Sequence, residues 1–203
     1  DYTIQDPGFF ILPEDGRIYR GWKKGGHGEI NLKDAIIESS NTFFFSLAYQ
    51  TEIEELRAHL SNFGFGKNVC DDCFMPDDGL LPSPRWKMNT HNFGWFKGDT
   101  VNVGVGQGYI NATPIQLAYY SAFLATKGNI NKFSFVQDSK SDNKNIFTSK
   151  NITDIDWHNI HESMIGVIES PKGTAGRLRS LKDFIIEKLP RMYRQFLDTL
   201  MID

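Results

Sequence analysis

Near the start of the chain, two short runs containing apolar residues frame a turn. Phe9 to Leu12 and Arg17 to Arg20 flank Pro13-Glu14-Asp15-Gly16, which predicts a β-hairpin whose tight turn takes its positive dihedrals at Asp15-Gly16. Trp22 to Gly28 is too rich in glycine for a helix, and the spacing then changes to threes and fours. Asn31 is placed to cap a helix over Leu32 to Ile37, and two more are predicted over Asn41 to Tyr49 and Ile53 to Phe63. The latter carries Leu56 and Leu60 on one face and ends at Gly64. Residues 65–98 read as a long irregular stretch broken by Pro76, Gly79, Pro82 and Pro84 and anchored by Trp86 and Trp95. Thr113-Pro114-Ile115-Gln116 opens a strong helix through Leu117, Tyr120, Ser121 and Leu124 to Gly128. Residues 129–150 begin like a strand and become polar, with an exposed tip at Ser139 to Lys144. A helix from Asp154 or Asp156 to Ile168 follows, and a last one over Leu181 to Met201 is interrupted at Pro190. The pattern is mostly helical, with a few short strands and no internal repeat.

Composition narrows the partners. A chain of 203 residues with 40% hydrophobic content holds one ordinary core, so a single domain with an appended element is expected. A net charge of -3 argues against nucleic acid, because neutralising phosphates needs a basic field. No apolar run reaches the roughly 20 residues that span a bilayer. The chain opens at Asp1 and reads as part of something longer, with any anchor or export signal outside it.

The strongest candidate for chemistry is Ser39-Ser40-Asn41. In one reading a serine caps a helix whose Phe43, Phe44, Leu47 and Ala48 face a core; in the other, the hydroxyl and amide belong to an acyl-transfer site. Cys70 and Cys73, the only cysteines, lack a strand-then-helix redox context and two thiolates cannot complete a zinc site. Inert loop thiols are favoured over a local disulfide or half of a metal site. Gly104, Gly106 and Gly108 are followed by neither the Lys-Ser/Thr of a phosphate loop nor an acidic ribose ligand, so they read as a tight turn feeding the Thr113 helix. His158 and His161 read as a solvated helix face, with no further ligands evident.

Together SSNTFFF (39–45), FGFG (63–66), GLLPSPRW (79–86), GDTVNVGVGQGY (98–109) and TPIQLA (113–118) resemble the transpeptidase domain of class B penicillin-binding proteins, in the penicillin-binding protein 2 branch. DPGFFILP (6–13) and WKKGGHG (22–28) point to the same branch. The resemblance runs in unbroken order over residues 1–178, which are expected to be a partial transpeptidase domain, with 179–203 a helical tail that does not match. It implies an α/β (α+β) fold, a fragment of the penicillin-binding, β-lactamase-like architecture holding its helical subdomain and little of its central sheet.

The activity implied is cross-linking of peptidoglycan during cell-wall elongation. A serine attacks a D-Ala-D-Ala stem peptide or a β-lactam, and an amine resolves the acyl-enzyme. Such chemistry needs a Ser-x-x-Lys nucleophile, a Ser-x-Asn and a Lys-Thr/Ser-Gly strand. By resemblance Ser39 passes a proton between lysine and amine, and Asn41 hydrogen-bonds the substrate backbone and orients the lysine. The Ser-x-x-Lys is expected just before Asp1. Ser141-Asp142-Asn143-Lys144 has the letters but sits in a polar tip, and Pro171-Lys172-Gly173-Thr174-Ala175 matches a separate Gly-Thr-Ala upstream of the missing strand. The tail beyond reads as a truncated or frameshifted end, or as a natural helical terminus. Whether this chain is itself an enzyme is therefore open, the alternative being a noncatalytic remnant or scaffold.

The resemblance further implies a periplasmic site at the inner membrane and elongation-complex membrane proteins as partners. Some members carry zinc, whose ligands would map to Asp6, Gly21, His27 and Ser40. Only Asp6 and His27 could bind metal, so no metal or cofactor is expected. Val69-Cys70-Asp71-Asp72-Cys73 replaces the usual Thr-Gly-Ile-Asp, with only Asp72 fitting.

Overall fold

The computed structural model describes residues 2–74, 76–136 and 152–181. The expected hairpin forms from β2 (Phe9–Ile11) and β3 (Ile18–Arg20), with Phe10 opposite Tyr19. The Leu12 N–H donates to the Arg17 carbonyl at 2.8 Å, and Gly16 alone takes a positive φ, 70°. Asp15 contributes its carboxylate instead, accepting the Arg17 N–H at 2.9 Å. A second antiparallel pair, β1 (Thr3–Asp6) with β4 (Gly28–Asn31), was not evident in the sequence. Its four-residue strands TIQD and GEIN bury only Asp6 and Ile30, too little alternation to register.

Asn31 caps α1 (Leu32–Ile37) by accepting the Asp34 N–H at 2.9 Å. Ser40 caps α2 (Asn41–Gln50), which lies between two cores. Phe43 packs with Ile30 and Ala35 on one side, and Phe45 with Leu12 and Val101 on the other. Each large side chain buried this way contributes about 1.5–3 kcal/mol. Val101 belongs to α5 (Lys97–Val103), and a Cβ on the following Gly104 would lie 2.3 Å from the Ala48 Cβ. Glycine at 104 therefore serves close packing of α5 on α2, and the expected glycine turn follows α5 over residues 104–109, with positive φ at Gly106 and Gly108.

The stretch 65–98 likewise contains more order than its prolines suggest. After α3 (Ile53–Asn62), α4 (Pro84–His91) starts where Ser83 accepts the Trp86 N–H at 3.0 Å, with Pro84 in the first turn. The buried Lys87 ammonium meets Asp99 Oδ2 at 2.6 Å, tying α4 to α5. The helix α6 (Pro114–Ala125) opens with the Thr113–Gln116 capping box and buries Tyr119 and Phe123; Phe123 in turn meets Phe63 and Trp157. Trp157 belongs to α7 (Asp154–Glu169), which lies so close to α1 that a Cβ on Gly166 would come 2.7 Å from the Ile37 side chain. A 3-10 turn, Gly176–Leu181, follows.

Two sequence readings are corrected here. Cys70 and Cys73 form a disulfide, neither inert thiols nor half a metal site. The Asn68 side chain accepts the Cys70 N–H at 2.9 Å, and the turn brings the two Cα atoms within 5.6 Å, inside bonding range. Asp72, between them, accepts the Ser134 hydroxyl at 2.6 Å and the Phe135 and Val136 N–H groups at 2.8 Å each, joining this turn to the segment after α6. The second correction concerns the histidines. His158 is exposed as expected, but His161 is half-buried beside Trp157, its Nε2 donating to the Leu124 carbonyl at 2.7 Å. The tip at Ser139 to Lys144 and the tail beyond Leu181 lie outside the described residues. Among the described residues no helix is long and apolar enough to cross a membrane.

Candidate active site

Both predicted site residues stand where α1 gives way to α2. The chain turns there within three residues: the Ser40 N–H still donates to the Ala35 carbonyl at 2.9 Å, and Ser39 reverses direction with φ 53°. This left-handed backbone is uncommon outside glycine and turns the Ser39 side chain outward, while Ser40 points in. Ser39 is exposed, Asn41 half-buried and Ser40 fully buried. Ser39 and Asn41 line one open groove of about 390 Å³ together with Ala35, Ile36, Phe44, Gly104 and Val105. A hydroxyl and an amide on an apolar wall can each donate and accept, which suits proton passage and peptide binding.

Residues that sequence reading did not place at this turn contact Ser39 and Glu38. The Ser39 and Thr174 hydroxyl oxygens lie 2.9 Å apart. Trp22 Nε1 donates to the Glu38 and Ser39 carbonyls at 3.0 and 3.1 Å. The buried Glu38 pairs with Lys23 and Lys172, each at 3.3 Å. Burial pushes the Glu38 carboxyl up, but the two ammonium groups outweigh it and hold it below the usual range. No local pattern could have shown these contacts, because Ser39 and Thr174 are 135 residues apart.

Beneath the turn lies the cluster built on Asp6. Its Oδ1 accepts the Gly8 N–H at 2.6 Å; its Oδ2 accepts His27 Nδ1–H at 2.6 Å and the Ser40 hydroxyl at 2.8 Å. This is where some relatives of the resembled family hold zinc, and the residues present do not fit that ion. Both Asp6 oxygens are committed, Gly21 offers no donor, and a Cβ there would already lie 3.1 Å from the Thr42 hydroxyl. Among the described residues no group of three His, Cys, Asp or Glu side chains is placed to hold a metal.

Burial raises the Asp6 carboxyl, and the bonds from His27, Gly8 and Ser40 outweigh it, leaving it below the ordinary aspartate value. A depressed folded value means that the stabilisation is present above the unfolded value of about 4 and is lost as pH falls through the folded one. Denaturant midpoints should therefore drop steeply below about pH 4. Asp6→Asn should flatten that slope and cost about 1–3 kcal/mol at pH 7. Urea titrations of both proteins between pH 3 and 7 measure this, and an unchanged slope would refute it.

A family model for the penicillin binding protein transpeptidase domain matches residues 1–184. The chain belongs to that family. Within the transpeptidase family it falls in the penicillin-binding protein 2 (PBP2) branch. It is 40% identical over 181 residues to the peptidoglycan D,D-transpeptidase MrdA of Acinetobacter baumannii, covering 84% of this chain and 26% of that protein. MrdA of Escherichia coli K12 is 34% identical over 180 residues, covering 85% and 28%. The structure of Pseudomonas aeruginosa PBP2 in complex with WCK 5153 superposes with TM-score 0.82 at 36% identity, over 88% of this chain and 42% of that one. Helicobacter pylori PBP2 gives 0.74 at 30% identity, over 86% and 32%. The fold is thus that of part of a PBP2-type transpeptidase domain. The chain spans about a quarter of the length of the curated relatives it matches.

Proposed function

We propose that this chain supplies the Ser-x-Asn wall of a peptidoglycan D,D-transpeptidase that cross-links stem peptides through a serine acyl-enzyme during cell elongation. The observation that carries it is the shared groove: Ser39 and Asn41 face one apolar cleft, at the turn where the family's second motif falls. In this reading Ser39 relays a proton to the leaving D-alanine and from the entering amine, and Asn41 holds the peptide backbone. The intact protein faces the periplasm from the inner membrane and works with elongation-complex proteins. Its H. pylori relative has been solved in complex with MreC.

A noncatalytic reading rests on a separate observation. The sequence contains no Lys-Thr-Gly or Lys-Ser-Gly, and its single Ser-x-x-Lys is Ser141 to Lys144. Fluorescent-penicillin labelling separates the two readings. This chain alone should stay unlabelled, whereas protein extended upstream through a Ser-x-x-Lys should label and lose the label when that serine becomes alanine. Absence of labelling in the extended protein would favour a scaffold.

A further inference from the structure

We infer that Thr174 is a positioning residue for Ser39, fixing its hydroxyl over the groove. An exposed serine side chain ordinarily samples several rotamers, and a proton relay needs one. Ser39 has a fixed neighbour in the Thr174 hydroxyl, 2.9 Å away. Either oxygen can donate, so the pair can reverse its hydrogen bond as Ser39 gives or takes a proton. Valine in place of threonine keeps the shape and removes this property.

The loop bearing Thr174 is held from several directions. The Thr174 N–H donates to the Ile37 carbonyl at 3.4 Å, and the Ala175 N–H to the Val167 carbonyl at 3.0 Å. Arg179 Nε donates to the Ile168 carbonyl at 2.7 Å, and Lys172 reaches Glu38, the residue before Ser39, at 3.3 Å. A Cβ on Gly173 would lie 2.3 Å from the Val167 carbonyl oxygen, so the loop needs glycine there to sit against the end of α7. The close α1–α7 contact at Gly166 carries this loop to the α1–α2 turn. So many restraints on the eight residues 172–179 exceed what an exposed hydroxyl contact alone would need.

The relay role rests on the transpeptidase reading; the positioning role does not, and two measurements keep them apart. In the 203-residue chain, NMR couplings of Ser39 should report one χ1 rotamer in wild type and Thr174→Ser, and averaging in Thr174→Val. An unchanged rotamer in Thr174→Val would overturn the assignment. In the upstream-extended protein, Thr174→Val should slow penicillin acylation about 10- to 100-fold, with the melting temperature held within about 2 °C, while Thr174→Ser stays within about threefold of wild type. Equal impairment of both variants, or a wild-type rate in Thr174→Val, would overturn it. An extended protein that never acylates while Thr174→Val frees the Ser39 rotamer would sink the enzyme reading and support the positioning.

Discussion

Ser39→Ala is expected to slow penicillin acylation of the upstream-extended protein by about 10²- to 10⁴-fold, the range for loss of one group that moves a proton in the transition state. The fold should barely notice. Alanine tolerates the φ of 53° as poorly as serine does, so that cost cancels between the two. Ser39 is exposed, its hydroxyl bond to Thr174 is at the surface, and the capping bond belongs to Ser40, not to Ser39. Losses of that kind stay within about 0.5 kcal/mol. Stopped-flow acylation beside thermal melts decides the matter. A rate within threefold of wild type would remove Ser39 from the mechanism, and a collapsed melt would reassign it to structure.

The second large effect concerns stability. Gln116→Ala should cost about 3–5 kcal/mol, a large share of the 5–15 kcal/mol that holds an ordinary domain together. The Gln116 amide is 1% exposed. Its Nε2 lies 3.2, 2.9 and 2.8 Å from the Gly64, Lys67 and Asp78 carbonyls, and its Oε1 accepts the Thr113 N–H at 2.9 Å. One side chain thus joins the start of α6 to the segment after α3. Truncation leaves the carbonyls of the buried Gly64 bond and the part-buried Lys67 and Asp78 bonds without a donor and opens a void where the side chain packed; a fully buried orphan costs about 1–3 kcal/mol and part-buried ones less. Urea denaturation of the chain and its variant measures the difference. A loss below 1 kcal/mol would mean that water replaces the amide.

Gln116 also shows what the sequence could and could not reveal. Its place in the first turn of a helix was legible from Thr113-Pro114-Ile115-Gln116, because a helix start is local chemistry within four residues. Its bonds to Gly64, Lys67 and Asp78 were not, since they join residues 38 to 52 positions apart. The same division runs through the fold. The hairpin, α1, α2, α3 and α6 followed from turn residues, caps and spacing. The helices α4 and α5 were hidden, the first by the prolines around Ser83 and the second by the β-branched, glycine-flanked GDTVNV. At the candidate site, Ser39 and Asn41 were proposed from their motif, whereas Trp22, Lys23 and Thr174 meet the turn only in three dimensions. The disulfide was passed over because two cysteines three apart do not reveal whether the turn between them closes.

The left-handed backbone at Ser39 sets stability against chemistry. Glycine would adopt φ 53° without the steric cost of about 1–2 kcal/mol that a Cβ brings. A lineage with no further use for the hydroxyl would therefore gain a sturdier turn by drifting to glycine, and a single nucleotide change converts some serine codons to glycine codons. The turn thus ties the two readings to one residue: a working wall needs the serine hydroxyl despite its backbone cost, and an idle one would be better served by glycine.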